Sequence, residues 1–191
     1  MTCSRCTRTS TCPRTFSKPP SVLRARIVLG IDPGTTGMGY AVLDAGSEPA
    51  TVVACGQVEA PPDGTAAERL LAIADALDAL ISRHAPGAIA IERLYFNKNV
   101  RTAMRVAEAR GVALLCAARA GLTVAEYTPQ EVKLSVTGSG AADKKQVQRM
   151  LALILTLSEP LTQDNVADAV AIALTHAQRA RFAAAVAGAA P

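Results

Sequence analysis

The chain has no tryptophan, only three tyrosines and three phenylalanines, and two histidines, His84 and His176. Its core must therefore be built from Ala, Val, Leu and Ile, which dominate the 50% of residues that are hydrophobic. So little histidine gives no support to a zinc site or a nucleophile triad. No uninterrupted apolar run approaches the roughly 20 residues that span a bilayer. A soluble, cytoplasmic protein with no membrane partner is expected. Acids are missing from residues 1–25, which hold Arg5, Arg8, Arg14, Lys18 and Arg24. The formal charge of +4 is thus mostly a property of that leader. It reads as a disordered basic extension, with a nucleic-acid-touching arm as the alternative.

The five cysteines are an odd number, and no secretory pattern precedes them, which favours a reducing compartment. Cys3, Cys6 and Cys12 have a faint metal spacing but lack a fourth ligand. Cys55 and Cys116 lie in apolar patterns and read as buried thiols. The 191 residues leave room for one domain with a real core, placed at 26–181, with a flexible tail over 182–191.

Within that domain, "RIVLGID" (26–32) is a short apolar run ending in an acid and reads as a buried strand. "MGYAVLD" (38–44) and "ATVVACGQV" (50–58) read as two more strands, and short connections predict an antiparallel meander. Thr65 and Glu68 form a capping-box signature, and Leu70, Ile73, Leu77, Leu80 and Ile81 recur at helical spacing, so a helix is predicted over 65–84. "AIAIE" (88–92) is a fourth strand, again closed by an acid. A helix over 100–119, a strand over 122–127 and three further helices follow; Thr128, Pro129 and Glu131 mark the start of the first, and the last covers 162–181. The pattern predicts an α/β fold with a mixed sheet and helices on both faces.

Asp32 and Glu92 both end apolar strands. If the strands are parallel neighbours, the two acids meet at one edge of the sheet. Asp164, Asn165 and Asp168 share a face of the last helix, since residues three or four apart are neighbours there. Asp168 stands inside the apolar run "VADAVAIAL", where an unpartnered charge would be costly. Clustered carboxylates repel, and Mg²⁺ or Mn²⁺, which prefer oxygen ligands, remove that cost. The competing reading makes Asp32 a turn residue and Asp164 and Asn165 helix-start residues. "GIDPGTTG" lacks the Gly-Lys-Ser/Thr ending of a nucleotide P-loop. The chain is also too short for the paired domains of a sugar-kinase-like ATPase.

The segments "LGIDPGTTGMGYAVLD", "IAIERLYFNKNVRTAMRVAEARG", "YTPQEVKLSVTGSGAADKKQVQRM" and "DNVADAVAIALTH" together resemble the bacterial RuvC family of Holliday-junction resolvases, in order and over about 26–180. The resemblance implies a ribonuclease-H-like fold with a mixed five-stranded sheet, and an endonuclease that cuts four-way junction DNA. It also implies a homodimer, Mg²⁺ with Mn²⁺ as a substitute, and cooperation with the RuvA–RuvB branch-migration complex. The family's catalytic acids match Asp32, Glu92 and Asp168. Its fourth acid falls on Asn165. Either this amide replaces the acid and holds substrate without cutting it, or Asp164 supplies the missing oxygen from the next position. The metal-ligand set implied is Asp32, Glu92, Asp168, Asn165 and Asp164.

The resemblance further implies that Tyr95 stacks on a base near the junction centre, that Lys133 and Lys144 are basic residues of the active centre, and that the helix over 100–119 forms much of the dimer interface. Two basic stretches fit a phosphate backbone, Arg93, Lys98, Arg101, Arg105 and Arg110 in one and Lys133, Lys144, Lys145 and Arg149 in the other. Rival readings are another ribonuclease-H-like nuclease and a junction-binding protein whose cleavage is impaired by Asn165.

Overall fold

The computed structural model describes residues 26–34, 37–61, 63–93, 100–159 and 161–188; the side chains of 100–102 lie outside that description. Among the described residues five strands and five helices follow one another as β1 (Ile27–Pro33), β2 (Met38–Asp44), β3 (Thr51–Val58), α1 (Ala66–His84), β4 (Ala88–Glu92), α2 (Val100–Arg119), β5 (Thr123–Tyr127), α3 (Pro129–Thr137), α4 (Lys144–Ile154) and α5 (Asp164–Gly188). The sheet order is β3-β2-β1-β4-β5. β1, β2 and β3 form the expected antiparallel meander, while β1, β4 and β5 pair in parallel through helical crossovers.

β1 and β4 are covered on both sides, which is why they read as continuous apolar runs rather than alternating ones. Val28, Ala41, Leu43 and Ala90 pack under α3, α4 and α5. Leu29, Ile31, Val42, Ile89 and Ile91 pack on the opposite face against Ile73 and Leu77 of α1 and Ala113, Cys116 and Ala117 of α2. The predicted capping boxes of α1 and α3 are both formed, and Asp143 with Gln146 makes a third at α4.

Two sequence expectations are corrected. Cys55 is exposed, because β3 is the edge strand and α5 lies mainly over β1 and β2. The last helix starts at Asp164 and continues to Gly188, past the helix end placed at 181. Its extension "FAAAVAG" is rich in alanine, the strongest helix former, so the helix persists where its side chains are exposed.

Candidate active site

Side chains alternate between the two faces of a strand. On β1, Leu29 and Ile31 face α1 and α2, so Val28, Gly30 and Asp32 face α5. On β4, Ile89 and Ile91 face α1 and α2, so Ala90 and Glu92 face α5. The parallel register sets Gly30 against Ala90 and Ile31 against Ile91. One step further, Asp32 is level with Glu92 on the α5 face. Parity and register thus bring the two acids together at the carboxyl ends of adjacent parallel strands.

α5 supplies the third acid by lying unusually close to the sheet. A Cβ on Gly30 would run into the carbonyl of Ala169 and would stand 2.8 Å from the Cβ of Ala173. A Cβ on Gly39, which pairs with Asp32 across β1 and β2, would strike the carbonyl of Asn165. Two strand glycines therefore let the helix backbone rest on the sheet, with Asp168 directly before Ala169. Further along, the Tyr127 hydroxyl meets Nδ1 of His176 at 2.8 Å, and the Arg179 guanidinium lies 5.1 Å from the centre of the Tyr127 ring. Tyr127 pairs with Glu92 in the β4–β5 register, so this contact fixes α5 to the strand beside the site.

Asp32 is only 7% exposed. Burial, and then the charges of Glu92 and Asp168, push its carboxyl up to about 7. Burial and the Asp168 charge raise Glu92, and burial raises Asp168. Asp32 and Glu92 are close enough to share a proton, so they titrate as a pair. Lys144 opposes the rise at all three acids, and Lys133 also opposes it at Asp168. Glu92, Asp168, Lys133 and Lys144 line one cavity of about 210 Å³, floored by Val132, Val147 and Ile172. Lys144 occupies the first position of α4, held at the rim by the Asp143–Gln146 capping box.

The carboxylates suit a hard cation. Three acids forced together out of water, with one held near neutrality, gain from a divalent charge. Among the described residues no three His, Cys, Asp or Glu side chains close into a ready-made cage.

The remaining predicted residues divide. Asn165 donates its side-chain amide to the Gly37 carbonyl at 3.3 Å, over the turn that follows Asp32. Asp164 Oδ2 lies 3.0 Å from Lys144 Nζ and its Oδ1 accepts from Gln148 at 3.4 Å. Its charge adds to burial in raising Asp168. Arg93 donates its backbone N–H to the Tyr127 carbonyl and sends its side chain toward Glu126, with Nε 3.9 Å from Oε2. Lys145 is exposed on α4. Arg101 lies on α2 with its side chain outside the described residues, and Tyr95 and Lys98 lie outside them altogether. The sequence places Gly30 and Gly39 inside the strands "RIVLGID" and "MGYAVLD" but attaches no packing role to them. Both glycines do sit inside strands, and that position was the available signal for close backbone approach.

A family model described as "Crossover junction endodeoxyribonuclease RuvC" matches residues 28–176. A relative bearing that description from Pelotomaculum thermopropionicum is 46% identical over 151 residues, covering 79% of this chain and 92% of the relative. Another, from Leifsonia xyli subsp. xyli, is 48% identical over 158 residues, covering 82% and 76%. Among solved structures, "T. thermophilus RuvC in complex with Holliday junction substrate" superposes with a TM-score of 0.78 at 36% identity, covering 83% of this chain and 96% of that one.

Proposed function

The chain belongs to the RuvC family of crossover junction endodeoxyribonucleases, and on that premise we propose that it resolves four-way DNA junctions by paired symmetric nicks, each leaving a 5′ phosphate and a 3′ hydroxyl. The observation that carries the reading is the convergence of Glu92 and Asp168 with Lys133 and Lys144 around one cavity, with the buried Asp32 level with Glu92 on the neighbouring strand.

Asp32, Glu92 and Asp168 are the residues that would hold Mg²⁺ or Mn²⁺. Asn165 offers a neutral oxygen beside them while its nitrogen is engaged by Gly37. Asp164 is engaged by Lys144. When bound, the divalent cation neutralises phosphate charge and activates the attacking water. The protein's own contribution is placement. Lys133 and Lys144 draw the scissile phosphate to the acidic rim and oppose the negative charge that builds during displacement. Arg93, Lys98, Arg101 and Lys145 extend the phosphate-binding surface, and Tyr95 supplies a ring for stacking on an unpaired base.

Two cuts call for two copies. α2 presents Met104, Glu108, Gly111 and Leu115 on one exposed stripe at helical spacing, with Met104 60% and Leu115 58% exposed. A second copy related by a two-fold axis covers that stripe and sets the second site on the opposing strand. RuvA and RuvB are the proposed partners at the junction, in the cytoplasm.

The test compares nicking of a mobile four-way junction, a linear duplex and an RNA–DNA hybrid, each with Mg²⁺ and with Mn²⁺. Junction-selective nicks that disappear in Asp32→Asn and Glu92→Gln support the reading. Undiminished nicking by either variant, or preference for the hybrid, overturns it.

A further inference from the structure

We propose that the exposed face of α4 is a docking track for the sugar-phosphate backbone of a DNA arm, with Arg149 and Lys145 as its anchoring cations. The proposal rests on the junction-nuclease reading and adds a path by which the arm leaves the cavity.

α4 has two sides. Val147 and Leu151 are buried and fasten it to the core. Lys145, Gln148, Arg149 and Ala152 fall at i, i+3, i+4 and i+7, and with Leu153 they line one shallow surface groove. The residue before Lys145 is Lys144, which lines the acidic cavity. The helix therefore begins at the catalytic rim and carries its outer face away from it. Consecutive helical residues point about 100° apart, so Lys144 addresses the cavity while Lys145 opens the groove.

The charge on this face is uncommitted. Arg26, Arg93, Arg110, Arg119, Arg179 and Arg181 each lie within ion-pair distance of a carboxylate. Among the described residues no carboxylate pairs with Lys145 or Arg149, and the sequence from Lys144 to Leu157 contains no acid. Lys145 and Arg149 are one helical turn apart, about 6 Å along the axis, comparable with two base steps of a duplex strand at about 3.4 Å each. Leu153 is 73% exposed at the far end, an apolar surface suited to sugar carbons rather than to further phosphates.

The partner is a polyanion with regular spacing. An acidic protein surface would also meet two cations, but only a duplex arm is already required next to Lys144. The track contributes affinity and orientation and touches no reacting atom.

The experiment measures binding of a fluorescently labelled synthetic four-way junction to the full chain across a KCl series, with Lys145→Gln, Arg149→Gln and the double variant. Arg83→Gln is the control: it removes the same charge from the end of α1, beside the start of β4 and thus at the other end of the sheet from Glu92. Each phosphate contact contributes close to one unit to the salt slope. The double variant is expected to lose about two units of slope and about tenfold in affinity at moderate salt. Arg83→Gln should leave both unchanged. A folded double variant with the parental slope overturns the track and leaves the nuclease reading intact. Failure of the parent chain to prefer the junction over a linear duplex overturns the nuclease reading itself.

Discussion

The amide nitrogen of Asn165 donates to the carbonyl of Gly37 at 3.3 Å, so the first turn of α5 is tied to the turn that follows Asp32. A carboxylate in the same rotamer has no donor for that carbonyl, and it adds a charge beside acids already pushed toward neutrality. Asn165→Asp should therefore destabilise the cation-free protein by about 1–2 kcal/mol, the range for a broken, part-buried hydrogen bond. Added Mg²⁺ should restore more stability to the variant than to the parent. Thermal unfolding with and without Mg²⁺ measures both. A variant as stable as the parent in EDTA would show that the Gly37 contact contributes nothing.

Asp32 gives stability a pH dependence of unusual sign. Its folded pKa of about 7 lies above the ordinary 3.8. Between those values the folded state holds the proton more firmly than the unfolded chain, so this group's contribution falls as pH rises from about 4 to about 7 and stays low above that. In the cation-free protein Asp32→Asn should raise stability at about pH 8 by on the order of 1–2 kcal/mol, less than the ceiling set by 1.36 kcal/mol per pKa unit. The advantage should vanish below about pH 4. Melting curves of parent and variant across pH, in EDTA, check the crossover. An advantage that grows toward acid would contradict the burial argument.

Gly30 decides how near α5 can lie. Gly30→Ala places a methyl group against the Ala169 carbonyl and Ala173, and the helix must lift or tilt. A cost of about 1–3 kcal/mol is expected from overpacking. Because Asp168 travels with the helix, nicking should fall further than junction binding does. Parallel denaturant melts, gel-shift titrations and nicking assays separate these effects; equal losses of binding and nicking would argue for general unfolding instead.

Leu115 is the apolar side chain at the far end of the exposed α2 stripe from Met104. In the proposed two-fold dimer Leu115→Lys enters the interface twice, and the dissociation constant of that dimer should rise at least about a hundredfold, at 1.4 kcal/mol per tenfold. Sedimentation velocity reads the shift, and cleavage of a supercoiled cruciform should change from linear product to nicked circles. A variant that sediments as the parent does would remove α2 from the interface.

Much of this arrangement was legible in the sequence because it is local. Runs such as "RIVLGID" and "AIAIE" announce buried strands and place an acid at each end, and the capping pairs Thr65–Glu68 and Thr128–Glu131 need only three residues of context. Asp168 stands out as a charge in an apolar helix. What escaped the sequence is non-local. Asn165 and Gly37 are 128 positions apart, and Asp164 meets Lys144 across the α4–α5 connection. Neither pairing leaves a periodic trace. The exposure of Cys55 depends on which strand becomes the sheet's edge, a property of the assembled order rather than of the apolar segment around it.

The shared parity of Asp32 and Glu92 makes the centre a matter of counting. Inserting one residue between Val28 and Ile31 would leave every side chain of the acidic cluster in the sequence and still send Asp32 to the wrong side of the sheet, beneath α1 and α2. Inserting two would return it to the α5 side but advance it by roughly 7 Å, at about 3.3 Å per residue. The reading frame of β1 against β4 is thus as much a part of this nuclease as the carboxylates themselves, and it belongs to no single residue that a substitution scan would reveal.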